Sequence, residues 1–316
     1  MTSPAGRERC FGLVALGDSI TAGVGDTVGP DAVHGPGWAA HLATVLGAET
    51  FANLATNGAR SRDVAGTQLD AALALRPRLA TVLVGGNDVL RSDFDARLTL
   101  ADLHRCVSEL CRAGTDVVLV RLPVIGLFEL SPRLVRHVMR RRVASVNAAV
   151  DEVVKAAGGG RMVSGSTADA VPGRPALAHG RVAVVDAAQA IAPAGAKAWH
   201  IDRVHPSPTG HRRLALAVAL ALPDQEYALP PDRAAASAAL VARLPVAPDP
   251  PSAWQRLGWL VKAGLPWCVR RGRDFLPGLL RAVVHDLRAE RAFHPGGMVT
   301  SLADSSLDSR RRIGRG

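Results

Sequence analysis

Ser19 follows an apolar run within Gly17-Asp18-Ser19, and His205 precedes a proline within Asp202-Arg203-Val204-His205-Pro206. Residues of these types can perform nucleophilic acyl chemistry. A serine hydroxyl attacks poorly until a base takes its proton, and the base in turn needs an acceptor that orients it. The residue before a proline is pushed out of helical geometry. His205 is therefore expected on an extended loop, with Pro208 opening the next helix beyond Ser207. Asp202, three residues earlier on that loop, is the economical acceptor for Nδ1 of His205, which leaves Nε2 to face Ser19.

The tetrahedral intermediate of acyl transfer also needs hydrogen-bond donors, each worth roughly 3 kcal/mol. Two further stretches offer them. Asn53-Leu54-Ala55-Thr56-Asn57-Gly58 places a glycine N–H behind one apolar run, and Gly85-Gly86-Asn87-Asp88 places a side-chain amide behind another. Asp18 and Asp88 read as acids that brace turns through local hydrogen bonds.

These groups need a frame, and the first two thirds of the chain supply one. Short aliphatic runs at 12–16, 49–54, 80–84, 116–121 and 182–185 alternate with amphipathic stretches at 38–46, 62–75, 95–113, 132–157 and 208–222. Such alternation is the pattern of βα units around a parallel sheet. In the fourth stretch Val135, Val138, Met139, Val143, Val146, Val150 and Val153 recur at helical spacing. Ser131 is its expected cap, Pro132 its first residue, and Arg133, Arg136, Arg140 and Arg141 its solvated side. The fold class expected is α/β, a three-layer α/β/α sandwich of about five parallel strands with flavodoxin-like topology. Ser19 then lies at a strand's carboxyl end, where open α/β sheets place their ligands.

Four segments, in this order, resemble the blocks of the SGNH (GDSL-like) hydrolase family: Gly17-Asp18-Ser19, Gly58, Gly85 to Asp88, and Asp202 to His205. The resemblance covers roughly residues 11 to 222. It implies that Ser19 attacks an acyl carbonyl, that His205 acts as base and then acid, and that Asp202 orients the histidine. It also implies an oxyanion hole made of the backbone N–H groups of Ser19 and Gly58 and the side chain of Asn87. Each block is short, and their joint order at successive strand ends carries the inference. Some members of the family use a carbonyl in place of the aspartate.

The expected activity is hydrolysis of a small-molecule or lipid carboxylic ester, without metal or organic cofactor. An acyltransferase using the same serine and histidine, and a binding protein with a degenerate hydrolase domain, are the alternatives. No G-x-S-x-G occurs, against an ordinary α/β-hydrolase elbow, and no phosphate-binding G-x-x-x-x-G-K-[ST] loop occurs. His200, His205 and His211 with Asp202 have chemistry suited to zinc or manganese. They lack a short HxH or HxxxH pair, so His200 and His211 read as surface or packing residues.

Nucleic acid is not an expected partner despite a net charge of +10, because aromatic residues are only 4% and no nucleic-acid module is recognisable. Only Lys155, Lys197 and Lys262 among the 38 basic residues are lysine, which points to the bias of a GC-rich coding sequence. Cys10, Cys106, Cys111 and Cys268 show no CxxC pairing and read as reduced, mostly buried thiols. No leader peptide is expected, because the N-terminal stretch is short and polar. The longest apolar run, 214–222, is far short of the roughly 20 residues that span a bilayer. The expected location is cytoplasmic.

Residues 1–223 are expected to form the catalytic domain, 224–252 a Pro-rich linker, 253–292 a helical extension and 293–316 a disordered tail. The region 224–316 carries 14 basic against 9 acidic residues and three of the five tryptophans. Tryptophan beside arginine on an amphipathic helix suits an anionic membrane or a protein partner.

Overall fold

A computed structural model describes residues 12–27, 34–124, 133–158, 180–222, 232–249, 252–259 and 261–262, and the single positions 280, 281, 284 and 288. Five strands, β1 (Gly12–Gly17), β2 (Thr50–Asn53), β3 (Leu79–Leu83), β4 (Asp116–Arg121) and β5 (Val182–Asp186), pair in parallel in the order β2-β1-β3-β4-β5. Strand order reverses beside β1, so a crevice opens there at the carboxyl ends.

Alternation along the strands sends residues to opposite faces. Leu13, Ala15, Leu79, Leu83, Val118, Val120, Ala183 and Val185 pack into one core. With them lie Trp38, Leu42 and Val45 of α1 (Gly37–Leu46) and Leu214 and Val218 of a later helix, Pro208–Ala221. Val14, Leu16, Ala80, Val82, Val117, Leu119 and Val182 pack into the other core. Both faces are thus covered, giving the three layers. Each fully buried leucine contributes about 1.5–3 kcal/mol relative to exposure.

The expected helix at 62–75 is interrupted. It comprises α2 (Ser61–Asp63), a wide π-type turn Val64–Gln68 and α3 (Leu69–Leu75), and Gly66 departs from helical geometry at φ −104°, ψ −109°. The break accompanies a tether: the side chain of Gln68 donates to the Gly17 carbonyl (3.0 Å) and accepts from the Gly17 N–H (2.8 Å). Next come α4 (Gly86–Val89), α5 (Ala96–Arg112) and α6 (Arg133–Ala156). The valine stripe of α6 is inward, with Val138, Val143, Val146, Val150 and Val153 buried, while Arg133 and Arg140 are exposed. Ser131 and Pro132 lie outside the described residues.

Beyond β5, α7 (Ala187–Ile191) and a 3-10 turn (Ala192–Ala198) lead to α8 (Pro208–Ala221). Ser207 caps α8 by accepting from the Gly210 N–H at 3.2 Å. Within the stretch 224–252, α9 (Arg233–Arg243) buries Ala236 and Leu240, and its Arg243 donates to the Val45 carbonyl of α1. Its alanine and leucine spacing gives it an apolar face that a plain linker would lack. α10 (Ala253–Trp259) begins the Trp-bearing extension. Most of 260–292 and all of 293–316 lie outside the described residues. Among the described residues no helix is long and apolar enough to cross a membrane.

Candidate active site

β1 ends at Gly17, and the chain turns sharply, with the Ala22 N–H donating to the Asp18 carbonyl and the Val24 N–H to that of Ser19. Asp18 is buried and accepts from the Ile20 N–H. Burial pushes its pKa up to about 6, because a carboxylate loses its hydration there. Asp18 thus braces the turn that presents Ser19, as expected. Asp88, also buried, does more than brace its own turn: it accepts from the N–H and Oγ of Ser61, across 27 residues of sequence.

Ser19 Oγ stands 2.8 Å from Nε2 of His205, across 186 residues of sequence. Nδ1 of His205 lies 2.8 Å from Oδ2 of Asp202. An ionised carboxylate only accepts, so Nδ1 carries the proton and Nε2 offers its lone pair to the serine hydroxyl. The other Asp202 oxygen accepts from the N–H groups of Val204 (2.8 Å) and His205 (3.0 Å). Burial works to raise the Asp202 pKa, but the ring nitrogens of His200 and His205 beside the carboxylate outweigh it and hold the acid well below the usual carboxylate range.

The donor groups converge on the same end of the sheet. Asn87, half-buried at the start of α4, donates through Nδ2 to the carbonyl of Ala59, the neighbour of Gly58. Gly58 has φ +83°, a left-handed conformation open to glycine, and a Cβ there would touch nothing. Among the described residues no acceptor takes the N–H of Ser19 or of Gly58. Asn53, at the end of β2, donates to the Thr21 carbonyl and so ties the Gly58 loop to the Ser19 turn.

A buried polar network, unforeseen in the sequence, sits behind Ser19. Asp26, whose side chain is 1% exposed, accepts from the Gly37 N–H, from Nε2 of His41 and from the guanidinium of Arg212. Burial would raise its pKa, but these partners and His211 hold it below the ordinary value. His211 is fully buried and uses both ring nitrogens, accepting from the Trp38 N–H at 3.1 Å and donating to the Val24 carbonyl at 3.0 Å. Burial pushes its pKa down to about 4, so it is neutral near pH 7. The network joins the Ser19 turn, the start of α1 and the helix that follows His205.

Gly25 completes the join. It has φ +93°, and a Cβ there would stand 2.3 Å from the Pro206 carbonyl oxygen and 3.1 Å from Cβ of His205. His200 also belongs to the site, with Nδ1 3.3 Å from Asp202 Oδ2. Both ring nitrogens of His211 are engaged within the protein, and among the described residues no group of three or more His, Cys, Asp or Glu is arranged to hold an ion. The spacing His-x-Asp-x-x-His was the available signal for His200. Asp26, His41, His211 and Arg212 had none, since each lies within a helix or loop whose contacts are long-range.

The profile of the GDSL-like Lipase/Acylhydrolase family matches residues 15–213. Among solved structures the chain is similar to Axe2, an acetylxylan esterase from Geobacillus stearothermophilus, at 22% identity over 71% of this chain and 96% of that one, with a TM-score of 0.47. It is also similar to the lipase/acylhydrolase from Enterococcus faecalis (18% identity, 66% and 93% covered, TM-score 0.48). A third is TesA (19%, 66% and 97%, 0.48). No curated protein matches the sequence.

Proposed function

The chain belongs to the GDSL-like lipase/acylhydrolase family and is an ester-hydrolysing enzyme, and on that premise we propose a serine acyl-enzyme route with Ser19 as nucleophile and His205 as base. The observation that carries the proposal is the continuous relay Ser19 Oγ, His205, Asp202, with both contacts at 2.8 Å. As Oγ bonds to the acyl carbon, its proton passes to Nε2 of His205. Charge gathers on the carbonyl oxygen, where the N–H groups of Ser19 and Gly58 and the Asn87 amide receive it. The tetrahedral intermediate breaks the bond to the alcohol, which takes the proton from His205. Water then attacks acyl-Ser19 and gives a proton to His205, the bond between the acyl carbon and Oγ breaks, Oγ takes that proton back, and the carboxylic acid leaves.

Turnover of p-nitrophenyl acetate and butyrate tests this. Ser19→Ala and His205→Ala are each expected to lower kcat by about 10⁴-fold or more. Mass spectrometry after rapid quenching is expected to find the acyl group on Ser19 in the wild type. Equal turnover by wild type and Ser19→Ala overturns the mechanism.

The substrate class proposed is a small-molecule or lipid ester, and one observation favours a lipid surface. Trp254, Leu257 and Val261 are 81%, 50% and 58% exposed at positions i, i+3 and i+7, in the region with excess positive charge. Such a face fits the headgroup boundary of an anionic membrane. The full chain is expected to sediment with phosphatidylglycerol vesicles at low salt, less at high salt, and less after Trp254→Ala with Leu257→Ser. No binding at low salt sinks this part. A cytoplasmic setting belongs to the same proposal, supported by the free, buried thiols of Cys106 and Cys111, and cell fractionation tests it.

A further inference from the structure

The loop that carries His205 is folded on itself. The His200 N–H donates to the His205 carbonyl at 2.9 Å, Trp199 and Pro206 form an isolated antiparallel bridge, and the Arg203 N–H turns back to the His200 carbonyl at 3.0 Å. Arg203, at the tip, holds φ +55°, a conformation L-residues rarely adopt. This fold brings the His200 and His205 side chains to the same carboxylate oxygen of Asp202. Their side chains are 18%, 15% and 18% exposed for His200, His205 and Asp202, so the three form one half-buried cluster. Gly25 lies against both histidines, since a Cβ there would come within 3.1 Å of His205 Cβ and 3.3 Å of His200 Cβ.

Asp202 has four lone-pair positions, and the cluster supplies four nitrogens. Oδ1 accepts the two backbone N–H groups, and Oδ2 faces Nδ1 of His205 at 2.8 Å and Nδ1 of His200 at 3.3 Å. With only His205 on Oδ2, the carboxylate would keep its two backbone N–H partners on Oδ1 but lose the second nitrogen beside Oδ2, and the imidazole plane that this oxygen orients would gain freedom. A base must keep hydrogen-bond reach to the serine throughout the reaction.

From this geometry we propose that His200 is a positioning residue for ester hydrolysis, acting through Asp202 to hold the His205 ring on Ser19. The inference rests on the catalytic reading of Ser19 and His205. His200 meets the relay at the Asp202 carboxylate, so its effect is expected to pass through that group. Its backbone hydrogen bond to His205 survives substitution, which leaves the imidazole alone under test.

The test is a double-mutant cycle on the full-length enzyme, with kcat and KM measured separately on p-nitrophenyl acetate. His200→Ala is expected to lower kcat by about tenfold with KM within twofold of wild type, as for residues coupled in one hydrogen-bond network. His200→Asn, whose Nδ2 can stand near the position of Nδ1, is expected to recover kcat to within about threefold. In an Asp202→Ala background, His200→Ala is expected to change kcat by less than about twofold. Wild-type kcat in His200→Ala overturns the proposal. So does an equal loss in both backgrounds, which would mean that His200 supports the loop without Asp202, or a rise in KM alone, which would mean contact with substrate. Ser19→Ala run in parallel separates the two failures: activity retained there removes the mechanism itself, whereas activity lost there beside an unaffected His200→Ala removes only the role of His200.

Discussion

The two ends of the parallel sheet are built from different materials. At the carboxyl ends, Asp18, Asp26, His41, Gln68, Asp88 and His211 are all buried. At the amino ends, the interior beneath α5 is mainly Cys106, Val107 and Leu110, and the buried polar groups are fewer: Thr115, which donates to the Pro77 carbonyl, and Asp116, paired with Arg181. Burying a charged or polar group costs free energy unless it is hydrogen-bonded, whereas apolar burial stabilises directly. The amino end therefore serves stability. The carboxyl end accepts a costlier interior whose hydrogen bonds join segments far apart in sequence, and those segments carry Ser19, Gly58, Asn87 and His205.

Substitutions at the two ends should separate activity from stability. After Ser19 and His205 themselves, the largest effect is expected for Asn87→Ala, a loss of about 10² to 10³ in kcat, measured on a p-nitrophenyl ester at saturation. An unchanged kcat would remove Asn87 from the oxyanion hole. Gly25→Ala should cost about 100-fold in kcat while far-UV circular dichroism stays native, because the new Cβ displaces Pro206 and the adjoining His205. Activity near wild type would show that the His205 loop tolerates the shift.

Acid should weaken the His211 contacts at the carboxyl end. His211 titrates at about 4 in the fold against an ordinary 6.5, so between those values the unfolded chain binds more protons. Stability from this group is full above about pH 6.5 and is lost as pH falls toward 4, by on the order of 3 kcal/mol. The physical reason is local: a proton on Nδ1 would face the Trp38 N–H that Nδ1 now accepts. Asp18, pushed up to about 6, contributes the opposite slope over the same range, so the His211 share is expected as the difference between wild type and His211→Asn in denaturant unfolding from pH 7.5 to 4, with wild type losing more stability toward pH 4. An identical slope in both proteins would place the acid sensitivity elsewhere.

The smallest effect belongs to the amino end. Cys106 is fully buried, and burial pushes its thiol up to about 12, so it is neither nucleophile nor redox centre at neutral pH. Cys106→Ala should lower stability by about 1 kcal/mol and leave kcat unchanged. A loss of activity there would erase the contrast between the two ends.

Most of the fold was legible because its signals are local. Each of the five strands appeared as a short aliphatic run, and the valine spacing of α6 marked its inward face. Departures arose where a distant contact decided the backbone. The helix at 62–75 breaks near Gly66 beside Gln68, which serves Gly17 some fifty residues away, and α9 packs on α1 inside a stretch whose prolines read as linker.

The four blocks and their order lie in the sequence itself, because the chemistry of a nucleophile, a base and their donors demands particular residue types directly after strands. Tertiary structure alone decided their company. His200 reads like any loop histidine until the 200–205 loop closes and sets it on Asp202, and His211 reads like a helix residue until α8 meets Val24 and Trp38. Hydrogen bonds such as that between His211 and Val24, 187 residues apart, leave no periodicity or spacing behind, so only the folded chain reveals which polar groups hold Ser19 and His205 together.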